Sequence, residues 1–300
     1  MTGVPVLEAL AADRRRGAAE IADRLLEWAE AWGEDDPTRE PESPEAVATA
    51  LARLGRSQAA MAPILRIAND LLLDLERREG TEEGVGRRAV ARAASDWRRR
   101  RAAARESLVL HLRRAIGSAP TVYTYSASST VRAAIEAHAA AGSWFRVVVS
   151  EARPGNEGAA LARSLAERGV PVRLGTEAWM WGAFDEEGVF LVGADALMSA
   201  AWLNKVGTTA LAGRAREAGI PVIVAADTSK YLPPALASLP RTYERDPGEI
   251  AIRPPASLEV VNPYFEEISY DLVDHLVTER GPTRPRDLRT GEIPVAKALR

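Results

Sequence analysis

The chain reads as an α/β protein: an N-terminal helical domain, residues 1–118, followed by a C-terminal Rossmann-like parallel-sheet domain, residues 119–300. Three observations predict this. Before residue 120, apolar residues recur at helical spacing and β-branched residues are sparse. After it, short β-rich runs alternate with alanine-rich stretches of helical length, the rhythm of a parallel sheet covered on both faces. Finally, 300 residues suffice for two modest domains.

In the helical half, Leu7, Leu10, Ala11, Ile21, Leu25, Leu26 and Trp28 form one stripe, predicting a single helix over 6–32. A polar, proline-punctuated connector covers 33–44. Ser43 before Pro44 is an N-cap followed by proline at the first helical position, opening a helix over 44–54. Further helices are predicted over 58–78 and 82–116, the last ending at Gly117. In the second half, strands are expected at TVYTY (from 121), FRVVVSE (145), VPVRL (170), GVFLVGAD (188), IPVIVAAD (220) and LEVVN (258). The intervening helices fall at 129–141, 156–168 and 208–218.

Composition excludes several chemistries. With no cysteine there is no disulfide, thiolate metal site or cysteine nucleophile. His111, His138 and His275 lie far apart in sequence, so no histidine metal site is expected and no cofactor is implied. A net charge of −3 gives no basic field for nucleic acid or anionic lipid. The N-terminus lacks the pattern of a signal peptide and no window is apolar enough to span a membrane, which reads as a cytoplasmic protein. Among 39 basic residues only Lys205, Lys230 and Lys297 are lysine; the arginine excess reads as genomic codon bias. The third lysine falls in a C-terminus expected to fray.

In a doubly wound sheet, ligands bind beyond the carboxyl ends of the strands. The first run leads into Ser126-Ala127-Ser128-Ser129-Thr130, four hydroxyls in five residues at a helix start. One serine alone would be a cap; four favour a phosphate or carboxylate cradle. The second run delivers Arg153, ahead of a proline and a glycine turn, where a phosphate clamp and an ion pair to Glu151 or Glu157 stand level. Asp195, just after a buried run, suits a general acid or base, with structural capping as the plainer role. Asn204-Lys205-Val206-Gly207-Thr208-Thr209 reads as a second anion cradle opening the next helix. Asp227-Thr228-Ser229-Lys230 follows the run at 220, so Lys205 and Lys230 fall on one expected rim. Gly84-Val85-Gly86-Arg87-Arg88-Ala89 imitates a dinucleotide fingerprint, but no strand precedes it. The arginine block 98–101 wraps a helix, so one of its side chains should face protein, with surface solvation or pairing with acidic neighbours expected ahead of nucleic-acid contact.

The succession YTYSASSTV (123–131), SEARPGNEG (150–158), LVGADAL (191–197), NKVGTT (204–209), DTSKY (227–231) and NPYFEEIS (262–269) resembles the initiation factor 2B alpha/beta/delta-type family. That family includes regulatory subunits of eukaryotic translation initiation factor 2B and two isomerases, of methylthioribose-1-phosphate and of ribose-1,5-bisphosphate. The match covers roughly residues 121–281, and more loosely Arg16-Gly17-Ala18, similar to the isomerases' phosphate-binding Arg-Gly-Ala, and Arg56. The resemblance implies a sugar-phosphate pocket between the domains and a homodimer formed through the C-terminal domain. It places Asp195 at the catalytic Asp, Asn204 and Lys205 at a substrate-holding pair, and Arg153 at the Arg of the isomerases' Glu-Thr-Arg-Pro segment. Two departures stand out: Ser126, preceded by Tyr125, replaces the isomerases' catalytic Cys, and Glu157 stands where they have Gln.

The expected function is therefore a factor 2B-type subunit homologue that binds a sugar phosphate or nucleotide without turnover or with altered catalysis. The alternative is an aldose–ketose isomerase of a phosphorylated pentose, with Asp195 and Ser126 catalytic. The expected ligand-binding residues are Arg16, Gly17, Ala18, Ser128, Ser129, Arg153, Asn204, Lys205 and Lys230. An RNA-associated role for the arginines of 87–114 ranks last, and neither a nucleic-acid nor a membrane partner is expected.

Overall fold

The computed structural model describes residues 3–34, 42–77, 85–185, 187–239, 241, 243–250, 255–288 and 293–300. Most of the 33–44 connector and Gly84 of the false fingerprint lie outside them. The chain forms two compact units: 1–103, 229–242 and 289–300 in the first, and 104–228 with 243–288 in the second. The units interleave along the chain, whereas composition suggested one cut at 118/119.

In the first unit, α1 (Val4–Ala12) and α2 (Ala18–Trp32) replace the single helix expected over 6–32. Asp13 causes the break. Its Oδ1 accepts the N–H groups of Arg15 at 2.8 Å and Arg16 at 3.1 Å, a local turn that competes with helix continuation. Extended Gly17 then caps α2. Helix α3 (Pro44–Ser57) starts as expected, with Ser43 Oγ accepting the Ala46 N–H at 3.1 Å. Helix α4 (Ala62–Glu76) follows, and α5 (Val85–Ile116) ends at Gly117, where a φ of 60° favours glycine. Leu7, Ile21, Leu25, Leu51, Leu54, Ile64, Leu65 and Leu71 are fully buried among these helices. Within the block 98–101, Arg98 pairs with Glu30 at 2.8 Å and the largely buried Arg101 with Asp23 at 2.5 Å.

The C-terminal segment does not fray. Asn69 on α4 is fully buried, donates to the Pro294 carbonyl and accepts the Ala296 N–H, both at 3.0 Å. Arg56 donates to the carbonyls of Ala298 (2.7 Å) and Arg300 (3.1 Å), and Leu299 is buried. A residue expected to mark a ligand segment thus holds the chain end.

The second unit is built on β1 (Thr121–Thr124), β2 (Arg146–Ser150), β3 (Val172–Gly175), β4 (Val189–Gly193), β7 (Val222–Ala225), β9 (His275–Thr278) and β10 (Gly281–Thr283). These form one sheet in the order β10-β9-β7-β4-β1-β2-β3, parallel except for the β9–β10 hairpin. Apolar runs make this possible, since every residue of β1, β4 and β7 is buried. Val122, Val147, Val149, Leu191 and Ile223 line one face, covered by α6 (Ser129–Ala140), α7 (Glu157–Ala166) and Leu108, Leu112 and Ile116 of α5. On the other face Phe184, after the short α8 (Glu177–Gly182), packs on Tyr123 and Phe190.

A second, antiparallel sheet was not foreseen. It contains β5 (Ala196–Leu197), β6 (Ala201–Lys205) and β8 (Phe265–Ser269), and α9 (Thr208–Glu217) follows β6. The strand expected at LEVVN is absent: Leu258 and Val261 are exposed, and β8 forms farther on. The short α10 (Pro234–Ala237) belongs to the first unit. No helix among the described residues is long and apolar enough to cross a membrane.

Two outcomes follow. Leu191→Ala, a fully buried position in β4, should cost about 2–5 kcal/mol in denaturant melts. His138, buried against Phe145, has its pKa held below the ordinary histidine value by burial and then by Arg113. The unfolded chain therefore protonates first, so stability should fall as pH drops below about 6.5. Melts of the protein and of His138→Gln across that range should differ in slope.

Candidate functional site at the strand ends

Strand order reverses between β1 and β4, which pair directly through Val122–Val189 and Tyr123–Phe190. Chain leaving these neighbours diverges, opening a crevice at their carboxyl ends. Glycine lets the helices close on it. A Cβ on Gly193 would lie 2.7 Å from Ser128 Oγ, and one on Gly158 would lie 1.8 Å from the Ser150 carbonyl oxygen. The non-glycine residues with positive φ among those described are Ser126 (61°), Ala152 (63°) and Asn156 (58°). All three follow β1 or β2, and such strain, about 1–3 kcal/mol each, gathers at functional sites.

Ser126 is half-buried just beyond β1, and Ser128 caps α6 by accepting the Val131 N–H at 3.3 Å, with Ser129 the first helical residue. Asp195 is half-buried between β4 and β5, two residues past the glycine that touches Ser128. Its N–H donates to the Leu203 carbonyl at 2.8 Å, tying it to β6 beside Asn204. Ser126, Ser128, Asp195, Asn204 and Lys205 therefore share one corner of the second unit. Tyr125 is buried and its hydroxyl donates to the Val206 carbonyl at 2.6 Å. Burial, and then Glu177, Glu157 and Glu266, push its pKa well above the usual phenol value, so it stays protonated.

The cations sit differently from expectation. Asn204 and Lys205 end strand β6 of the antiparallel sheet; they do not open the helix. Lys205 is 2% exposed, with Nζ 3.3 Å from Glu157 Oε1 and 3.4 Å from the ring centre of Tyr264. Arg245 also stacks on Tyr264, at 4.2 Å. Burial lowers the Lys205 pKa, and Glu157 counters it. Asn204 donates to Thr208 Oγ1 at 3.0 Å, and the Thr209 N–H donates to Glu266 Oε1 at 2.7 Å. The second cradle is thus closed by protein acceptors. Glu177 takes the Arg153 N–H at 3.1 Å and the Ser150 hydroxyl at 3.2 Å, leaving the Arg153 guanidinium exposed. Neither ion pair weighed for Arg153 forms among the described residues; Glu157 meets Lys205 instead.

The remaining expected residues belong to the first unit. Arg16 is engaged by Asp13 at 2.5 Å and Glu20 at 2.6 Å, with Gly17 and Ala18 at the start of α2. The Asp13 pKa is lowered: burial alone would raise it, but the N–H groups of Arg15 and Arg16 outweigh that. Lys230 is half-buried in a short 3-10 turn, Thr228–Lys230. A cleft of about 460 Å³ between α4 and α5, with Asp70, Arg77, Arg92, Trp97 and Arg100 in its walls, contains none of the expected site residues. No group of His, Asp or Glu among the described residues could hold a metal ion. Sequence reasoning missed Glu177, Glu266, Tyr264 and Arg245. A Thr-Glu helix start after β3 could have signalled Glu177; Glu266 and Tyr264 stood inside a quoted motif without a role.

The model of the Initiation factor 2 subunit family matches residues 16–285. The chain belongs to this family. It is 30% identical to a ribose 1,5-bisphosphate isomerase of Haloferax volcanii, over 91% of this chain and 86% of the relative. It is 35% identical to a 5-deoxyribose 1-phosphate isomerase of Moorella thermoacetica, over 52% of this chain and 47% of that one. Among solved structures, translation initiation factor eIF-2B of Pyrococcus horikoshii superposes with a TM-score of 0.78 at 26% identity, covering 95% of this chain and 98% of the other. The family fold thus accounts for the helical unit and the mainly parallel sheet.

The Lys205–Glu157 pair is the most buried charge contact of this family member's rim. Glu157→Ala should cost roughly 3 kcal/mol by stranding the ammonium, whereas Lys205→Met combined with Glu157→Ala should cost far less. A double-mutant cycle in urea melts measures the difference.

Proposed function

We propose that the chain is an aldose–ketose isomerase of a phosphorylated pentose. The observation that carries this is the 30% identity, across 91% of the chain, to a protein named ribose 1,5-bisphosphate isomerase. Support from the site comes from the grouping of Asp195, Ser126, Asn204 and Lys205 at the reversal point of the sheet. In this proposal Asp195 is the base that moves a proton between adjacent sugar carbons. Ser126 positions the substrate, because a serine hydroxyl is too weak an acid to exchange protons near neutrality. Tyr125 is no proton carrier, since its hydroxyl is bound to the Val206 carbonyl and its ionisation is suppressed.

A second reading, a ligand-binding subunit without turnover, is favoured by one feature: the end of β1 carries Ser126, whose hydroxyl is a weak acid, and Tyr125, whose hydroxyl is bound to the Val206 carbonyl. Under that reading the partner would be another copy of the chain or a related subunit.

Incubation with ribose 1,5-bisphosphate, 5-deoxyribose 1-phosphate and methylthioribose 1-phosphate, following ketose formation, separates the two. Turnover with at least one sugar is expected, and Asp195→Asn should lower kcat by about 10²–10⁴-fold. Thermal stabilisation by a sugar phosphate with no ketose formed would select the second reading.

A further inference from the structure

Two of the cations expected to receive phosphate, Arg16 and Lys205, already have carboxylate partners, and these partners differ in how readily they yield. Arg16 lies 2.5 Å from Asp13 and 2.6 Å from Glu20, with its own side chain 40% exposed, Glu20 54% and Asp13 7%. The exposed pair with Glu20 is worth little, so a ligand could displace that partner. Lys205 differs, because its side chain is 2% exposed and Glu157 is 21% exposed. Removing Glu157 from it would strand a buried charge.

A count of donors and acceptors at this pair shows what it can take. An ammonium has three N–H groups. One points to Glu157 Oε1 and another is engaged by the Tyr264 ring. At most one remains. On the other side, Glu157 Oε2 is shielded from solvent and has no hydrogen-bond partner. The pair therefore has spare acceptor capacity and little spare donor capacity, the reverse of what a phosphate needs. The neighbouring backbone donor is also taken, since the Thr209 N–H is bound by Glu266 Oε1 at 2.7 Å. A dianion placed here would meet the Glu157 carboxylate, whereas a sugar hydroxyl that reached Oε2 would find an acceptor.

Resting on the sugar-phosphate reading above, we infer that Glu157 is a specificity-determining residue: it makes the Lys205 side of the rim accept ligand hydroxyls and closes it to a phosphate, so that a pentose monophosphate binds in preference to a bisphosphate. Glutamine at this position would keep the hydrogen bond from Lys205 Nζ and remove the negative charge. The discrimination thus resides in the charge of one side chain.

Titration of the intact chain with ribose 1-phosphate and with ribose 1,5-bisphosphate tests this. Wild-type protein should bind the monophosphate at least about tenfold more tightly, the effect of one nearby like charge at intermediate dielectric. Glu157→Gln should narrow that ratio by about tenfold, chiefly by tightening bisphosphate binding. Equal or tighter bisphosphate binding by the wild type overturns the inference while leaving the sugar-phosphate reading standing, and it is read without any substitution. An unchanged ratio in a folded Glu157→Gln variant also overturns it. If neither sugar binds the wild type, the sugar-phosphate reading itself falls and the inference with it.

Discussion

The site depends on a reversal of strand order. Between β1 and β4 the chain departs toward opposite edges of the sheet, which opens a crevice at the carboxyl ends of those two strands. Polar groups can collect there without being buried in apolar packing. How tightly they collect is set by backbone approach: Gly193 lets Ser128 sit against β4, and Gly158 lets α7 press on the Ser150 carbonyl. A larger residue at either glycine would push a helix off its strand. The positive φ values at Ser126, Ala152 and Asn156 are the local conformations needed to leave β1 and β2 and enter these helices.

Charge then decides what the crevice can hold. The chain offers an ammonium on β6 and several backbone donors, and it also supplies Glu157, Glu177 and Glu266 to meet them. Burial ranks these contacts. Arg16 can leave the exposed Glu20 at small cost because water screens that pair, whereas separating Lys205 from Glu157 would leave a buried charge uncompensated. Tyr264, stacked by both Lys205 and Arg245, extends the same cluster onto β8's flank. Under the specificity role proposed for Glu157, that single carboxylate weighs more on ligand choice than the count of cations does.

Much of this was legible in the chain itself. Burial on both faces writes itself as continuous apolar runs, so β1, β2, β4 and β7 could be placed, as could α6, α7 and α9 between them. Ser43 and Gly117 marked helix ends because capping is a matter of one residue and its neighbours. The family showed in six motifs read in order. The misses share a cause. The break at Asp13 came from a side chain bonding its own backbone, which an apolar stripe cannot register. The antiparallel sheet was hidden because β5 and β6 are short and its third strand, β8, lies some sixty residues on, a pairing with no local signature.

By itself, then, the sequence determined the alternation of strands and helices, the family, and the presence of Asp195, Asn204 and Lys205 near strand ends, because these follow from periodicity and from short motifs. Only the tertiary structure decided which groups neutralise each other. Glu157 and Lys205 are separated by 48 positions, Glu177 and Arg153 by 24, and Glu266 and Thr209 by 57. Coulomb energy and desolvation depend on distance in space and on burial, and neither is encoded in spacing along the chain.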